Sequence, residues 1–196
     1  MNAVLPAHWI LLATAIRSGP AATDSLPPIG LAWRDVEGTW CATVAAGPLV
    51  PGTPVTLVFP APDAPVVARA ARVVRRRPEP CPSEFAQGSL EGLPAYDLAA
   101  AGPDVEGVPS VALAVAGPAV WRRGPDGAAR ADMDGDGRPE RASVCAADEG
   151  EHFTVWTDDS AGAPRLRWHG YYDWGGLVDP TCQPGEDGRE RAGAGS

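Results

Sequence analysis

The sequence has few histidines and none of the short motifs that mark a catalytic centre. Only three histidines occur in 196 residues, and His8 lies in the apolar N-terminal stretch. No Gly-x-Ser-x-Gly, Ser-x-x-Lys, His-Glu-x-x-His or phosphate-binding glycine loop is present. These absences argue against the common hydrolase and nucleotide-binding classes. His152 and His169, with Glu149 and Glu151 nearby in the sequence, are the remaining acid–base candidates, and a structural role is the commoner one for such histidines.

Positive charge and long apolar runs are also scarce. The formal net charge is −9, which disfavours nucleic acid and anionic lipid as partners. The one basic run, residues 75–77, is expected at a solvated strand end. No stretch reaches the ~20 apolar residues that a membrane-spanning helix needs. We therefore expect no nucleic-acid partner and no stable membrane span.

The N-terminal apolar stretch predicts export. Residues 3–16 are typical of the apolar region of a signal peptide, and small residues follow at positions 18, 19, 21 and 22. We therefore assign residues 1–22 to a signal peptide and expect a periplasmic or secreted protein, although no Arg or Lys precedes the apolar stretch. The alternative is a buried N-terminal helix or strand.

The cysteine pattern is consistent with export. Cys41, Cys81, Cys145 and Cys182 are widely spaced and form no Cys-x-x-Cys pair, which disfavours zinc ribbons and thioredoxin-like sites. In an oxidising compartment this even number predicts two disulfides. Of the three connectivities that four cysteines allow, we favour Cys41–Cys81 and Cys145–Cys182, because each pair brackets one half of the chain. Four buried free thiols are the alternative.

The distribution of turn residues predicts an all-β fold. The 23 glycines and 22 prolines exceed a fifth of the chain and leave little room for long helices. Between them recur short runs rich in β-branched and aromatic residues, as in small barrels and sandwiches. We predict a small barrel-like β-domain over residues 23–82 and a second antiparallel β-sheet domain over residues 83–182. The Gly-rich, charged segment 183–196 is predicted to be a disordered tail.

The strongest local signal is the acidic segment Asp-Met-Asp-Gly-Asp-Gly-Arg-Pro-Glu at residues 132–140. Its aspartates alternate with other residues, and its two glycines allow a tight backbone bend that brings the carboxylates together. Such crowding of negative charge is costly without a cation, and hard oxygen ligands favour Ca²⁺. An EF-hand is excluded, because the twelfth position counted from Asp132 is Ser143 rather than the required Glu.

This segment resembles the calcium loop of integrin-type FG-GAP and VCBS repeats, in which an Asp-rich loop links two strands. The resemblance implies side-chain ligands from Asp132, Asp134 and Asp136, a backbone carbonyl from Arg138, and a closing carboxylate from Glu140. Asp is more usual than Glu at the last position. Only one such loop is present, which excludes a complete propeller. A plain acidic β-turn is the alternative, since Asp-Gly alone is a strong hairpin signal.

An aromatic segment near the C-terminus is the second candidate site. Trp168, Tyr171, Tyr172 and Trp174 can form a glycan- or peptide-binding platform, although packing into a core is the more common role. We thus predict an exported, non-enzymatic β-rich protein with a structural Ca²⁺ site, whose biological role the sequence does not specify. The alternatives are a glycan- or peptide-binding module that uses these aromatics and a metal-assisted hydrolase.

Overall fold

The computed structural model describes residues 26–35, 37–45, 47–61, 64–81, 92–103, 106–147, 150–158 and 162–173. The predicted signal peptide, residues 1–22, and the predicted tail, residues 183–196, lie outside these ranges. All helices and strands assigned within these ranges are β-strands, which confirms the all-β class. Nowhere in the described ranges does a helix occur with the length and apolar character needed to cross a bilayer.

Six antiparallel strands close a barrel. In chain order they are Ile29–Arg34 (β1), Trp40–Ala45 (β2), Pro54–Val58 (β3), Ala68–Arg76 (β4), Ala95–Ala100 (β5) and Val111–Ala116 (β6). The order around the barrel is β1-β2-β5-β4-β3-β6, and pairing of β6 with β1 closes it. The predicted barrel-like element is therefore present.

The barrel extends beyond the boundary predicted at residues 82 and 83. β5 and β6 follow that position in the sequence, yet β5 lies between β2 and β4, and β6 lies between β1 and β3. Strand pairing changes instead after Ala116, where the barrel ends. Sequence patterns indicate where strands form, but they do not reveal which distant strand each one pairs with.

Large rings and small side chains together fill the barrel. The rings of Trp40 and Phe59 meet edge to face with their centroids 5.9 Å apart. Alanines of β1, β2 and β6 belong to the same buried cluster and leave room for these rings. The buried hydroxyl of Tyr96 accepts a hydrogen bond of 3.0 Å from the Leu49 N–H, so the polar end of this ring is satisfied.

Five further strands form an antiparallel sheet. They are Arg122–Arg123 (β7), Ala129–Ala131 (β8), Glu140–Ala147 (β9), Gly150–Asp158 (β10) and Pro164–Asp173 (β11). The spatial order β11-β10-β9-β8-β7 follows the order along the chain, as in a meander. A second antiparallel sheet was predicted and is confirmed, although the short Ala-Arg-Ala strand β8 has little β propensity and gave no sequence signal.

The second sheet packs on the outside of the barrel. Alternation along β1 and β6 places Leu31 and Leu113 on the opposite face from the barrel interior. These two side chains share a buried cluster with Phe153 and Val155 of β10. One apolar core therefore fills the barrel, and another joins the barrel to the sheet.

The Cys41–Cys81 disulfide predicted from the sequence is present. Its Cα atoms lie 5.7 Å apart, and it joins β2 to the segment after β4. Of the other predicted pair, Cys182 lies outside the described residues, and only the backbone of Cys145, in β9, is described. The described part of the chain thus contains one of the two predicted disulfides.

Asp97 of β5 is a buried carboxylate with two arginine partners. It accepts hydrogen bonds from Arg75 Nε at 2.5 Å and Arg77 Nη1 at 2.6 Å. Burial alone would raise the pKa of Asp97, but the bonds and charges of the two arginines outweigh burial and lower it. Two arginines of the basic run are thus ion-paired, rather than merely solvated as the sequence suggested.

Removal of the disulfide is expected to destabilise the barrel. The bond closes a segment with a sequence separation of 40 residues, and the chain-entropy model assigns such a loop about 4 kcal/mol. Denaturant unfolding of a Cys41→Ala/Cys81→Ala variant against the wild type measures this loss in the free energy of unfolding. Equal stability of the two proteins would contradict the expectation.

We expect Asp97→Asn to lower the free energy of unfolding at pH 7 by about 2 kcal/mol, because charge-assisted hydrogen bonds are lost. Since folding lowers the pKa of Asp97, its contribution is complete above the unfolded pKa of about 4 and disappears as pH falls through the folded value. Unfolding measured from pH 7 to pH 2 should therefore show the two proteins converging in acid. The exposed Glu106, changed to Gln, is the control, and a pH-independent gap would refute this account.

Candidate metal centre

The acidic segment forms the connection between β8 and β9. These strands pair antiparallel with Ala131 opposite Glu140, so residues 132–139 make up the loop of a hairpin. β9 is the third of the five strands in the sheet. The loop therefore emerges next to the centre of the sheet.

Two glycines let the loop fold around the first aspartate. Gly135 and Gly137 have φ angles of 79° and 86°, in the left-handed region that glycine adopts without penalty. Their N–H groups donate to the two oxygens of Asp132 at 2.8 Å and 3.1 Å. This local geometry is the reason that the Asp-Gly-Asp-Gly pattern forms a compact turn.

The loop brings three carboxylates together. One oxygen from each of Asp132, Asp134 and Asp136 lies within 4.8 Å of the others. Asp134 Oδ1 accepts the Asp136 N–H, and Asp136 Oδ1 accepts the Arg138 N–H. Oxygens bound to one Ca²⁺ at about 2.3–2.6 Å are separated by no more than about 5 Å, so this group has the donor chemistry and spacing for such an ion.

Glu140 lies at the end of the loop as a fully buried carboxylate. Its Oε2 accepts the Met133 N–H at 2.7 Å, whereas its Oε1 has no hydrogen-bond partner. Burial raises the pKa of Glu140, and the charges of Asp134 and Asp136 raise it further, which outweighs the Met133 hydrogen bond. A buried oxygen without a partner beside other carboxylates is costly, and a nearby cation would offset that cost.

Not all of the predicted ligands belong to the three-carboxylate group. Glu140 is outside it, although its pKa responds to the charges of Asp134 and Asp136. Arg138 is exposed in the turn, and its predicted role as a carbonyl ligand stays a prediction. The structure thus gathers the aspartates and places Glu140 within electrostatic reach of them.

Arg167 approaches the loop from β11 and was not anticipated from the sequence. Its Nη1 and Nη2 each lie 3.5 Å from Asp134 Oδ2, at a sequence separation of 33 residues. Val155 and Trp156 are consecutive in β10 but pair with Trp168 and Leu166, so Arg167 is the extra residue of a β-bulge. Periodicity does not reveal a bulge, and this contact therefore has no signal in the sequence.

The two candidate histidines lie together on neighbouring strands. His152 Nδ1 and His169 Nε2 are 2.9 Å apart in nearly parallel rings, which is a hydrogen bond between β10 and β11. His152 is fully buried, while burial and then the charge of His152 lower the pKa of His169. Glu151 is exposed, and Glu149 lies outside the described residues.

Trp168 is the one ring of the predicted aromatic platform whose side chain is described. It is half-buried and packs against the cluster that joins the sheet to the barrel. Its ring also covers Gly170, where an added Cβ would lie 2.1 Å from Trp168 Cη2. Only the backbone of Tyr171 and Tyr172 is described, and Trp174 lies outside the described residues.

Comparison with known proteins finds no match to this chain among protein-family models, curated proteins or solved structures. The fold and the site define a two-sheet β-protein with a carboxylate-rich hairpin loop. Its function must therefore be argued from that loop and its surroundings.

Glu140→Gln is expected to raise stability without metal and to reduce the stabilisation that Ca²⁺ provides. In chelator the variant should be more stable by about 1 kcal/mol, because it removes a buried charge that lacks a full set of partners. The rise in stability from chelator to Ca²⁺ should be smaller for this variant than for the wild type, because one negative charge beside the ion is gone. Thermal unfolding in both conditions measures this, and a variant destabilised equally in both would show that Glu140 acts only through packing.

Proposed function

We propose that this chain is an exported, non-enzymatic β-rich protein whose β8–β9 loop binds Ca²⁺ as a structural ion. The observation that carries the proposal is the convergence of the Asp132, Asp134 and Asp136 carboxylates near the buried Glu140, which has an oxygen without a partner. Hard, negatively charged oxygen donors are the ligands that Ca²⁺ prefers over transition metals. The predicted carbonyl ligand from Arg138 would add to this set.

A structural role for the ion follows from the position of the loop. β9 begins at Glu140 and pairs with both β8 and β10. The loop geometry therefore sets the position at which this middle strand enters the sheet. Neutralising the loop would stabilise this hairpin, and an ion that binds only the folded state raises its stability by mass action. The biological role of the protein is thus proposed to depend on a metal-stabilised scaffold.

Export is supported by the N-terminal sequence and by the Cys41–Cys81 disulfide, since such bonds persist in oxidising compartments. We propose that Cys145 and Cys182 form a second bridge and that the mature protein is periplasmic or secreted. The resemblance to FG-GAP and VCBS loops is proposed for the loop alone. It supports the choice of Ca²⁺ and carries no activity with it.

The structure does not favour either alternative function. For a glycan- or peptide-binding surface, which requires exposed rings, the one described ring, that of Trp168, packs against the core and covers Gly170. For a hydrolase, which requires a base that substrate can reach, His152 is unsuited, because it is fully buried and hydrogen-bonded to His169. We therefore retain the structural calcium site as the proposal.

Thermal unfolding with Ca²⁺ and with chelator tests the proposal directly. At a Ca²⁺ concentration of about 100 times Kd, the wild type should gain about 2.7 kcal/mol, which raises Tm by roughly 5–10 °C. Asp134→Asn should lose most of this gain, because it removes a charged ligand from the centre of the group.

The matched control is Asp158→Asn, which makes the same chemical change at an exposed position in β10. This variant should keep the full response to Ca²⁺. Identical Tm values for the wild type in Ca²⁺ and in chelator would remove the calcium proposal, and an equal response to Mg²⁺ would argue against selectivity for Ca²⁺.

A further inference from the structure

We propose that Arg167 is an internal cation that competes electrostatically with the metal and thereby weakens the affinity of the acidic loop for Ca²⁺. This inference rests on the proposed function, because it concerns the regulation of the same site. It connects Arg167, in strand β11, with the acidic loop between β8 and β9.

The bulge in β11 brings the guanidinium of Arg167 towards Asp134. Arg167 is the extra residue of this bulge, since Val155 pairs with Trp168 and Trp156 pairs with Leu166. A bulge changes the direction of the side chain that it carries, and bulges commonly serve this purpose beside functional sites. The guanidinium thus reaches Asp134 from a strand that is two positions away from β9 in the sheet.

The contact is shielded from solvent but loose. The side chain of Asp134 is 2% exposed and that of Arg167 is 13% exposed, so water and salt screen this pair less than a surface pair. Both guanidinium distances to Asp134 Oδ2 are 3.5 Å, which exceeds the roughly 2.7–2.9 Å of a charge-assisted hydrogen bond. Arg167 therefore acts on the loop mainly as a nearby positive charge.

Arg167 compensates only part of the negative charge. Asp132, Asp134, Asp136 and Glu140 place four carboxyl groups around the loop, and Glu140 Oε1 is a fully buried oxygen without a hydrogen-bond partner. One guanidinium beside one of these groups leaves negative charge for a further cation. The arrangement therefore combines a site that still attracts a metal with a fixed charge that repels it.

The expected effect on affinity follows from Coulomb repulsion. A divalent ion bound by Asp134 would lie close to the guanidinium in a partly buried region, where charges interact more strongly than in water. Removing the positive charge should therefore tighten Ca²⁺ binding about tenfold, given the strength of such interactions at intermediate dielectric. In the metal-free protein the same change removes a counter-ion of Asp134 and should lower stability.

Calorimetric titration of full-length protein with CaCl₂ at fixed ionic strength tests this inference. Arg167→Gln is expected to bind Ca²⁺ about tenfold more tightly than the wild type, while Arg167→Lys, which keeps the charge, should stay within about twofold. Arg165→Gln is the matched control, because Arg165 is an exposed arginine of the same strand and should leave the affinity unchanged. If Arg167→Gln fails to fold, Arg167→Met takes its place in the titration, because Met keeps much of the apolar part of the Arg side chain.

Thermal unfolding of the same variants separates a charge effect from a purely structural one. Arg167→Gln should have a lower Tm than the wild type in chelator and a larger rise in Tm on adding Ca²⁺. An Arg167→Gln variant that binds Ca²⁺ with affinity equal to or weaker than the wild type would overturn the role of Arg167 while leaving the metal site intact. If neither the wild type nor the charge-removing variants bind Ca²⁺, the proposed function itself fails, and this inference fails with it.

Discussion

The second sheet depends on how the carboxylate charges of the β8–β9 turn are offset by hydrogen bonds and by nearby positive charge. β9 lies at the middle of that sheet and starts with a fully buried glutamate. The hairpin can form because loop N–H groups donate to Asp132, Asp134 and Asp136. The guanidinium of Arg167 adds a positive charge beside Asp134 Oδ2. Among the described residues of the turn, the buried carboxylate oxygen without a donor is Glu140 Oε1, and it is the strongest reason to propose a cation.

The electrostatics of the turn and the packing of the two sheets are connected through β10. One face of this strand carries Phe153 and Val155 into the cluster shared with Leu31 and Leu113 of the barrel. Along one edge it pairs with β9, which begins at the acidic loop, and along the other it pairs with β11, which carries Arg167. A change of charge at the loop therefore acts on strands that also form the interface with the barrel.

Local features of this fold could be predicted from the sequence, whereas features that depend on strand pairing could not. The alternation in Val111–Ala116 and the Asp-Gly pairs of the acidic loop identify a strand and a hairpin turn without further information. β5 pairs with β2 and β4, which are distant in the sequence, so the barrel ends well beyond the boundary predicted at residues 82 and 83. The approach of Arg167 to Asp134 additionally requires a bulge, which becomes visible only once the register is known.

The Cys41–Cys81 bond connects parts of the barrel that are not neighbours. Cys41 lies in β2 and pairs with Asp97 of β5, while Cys81 follows β4, so β5 occupies the gap between the two strands tied by the bond. The covalent ring encloses β3 and β4 but excludes β5, which comes later in the chain. A chain oxidised during synthesis, before β5 and β6 are added, would therefore hold an incomplete barrel that lacks these two strands. In the last steps of assembly, β5 would insert between β2 and β4, as a peptide strand inserts into a preformed cleft.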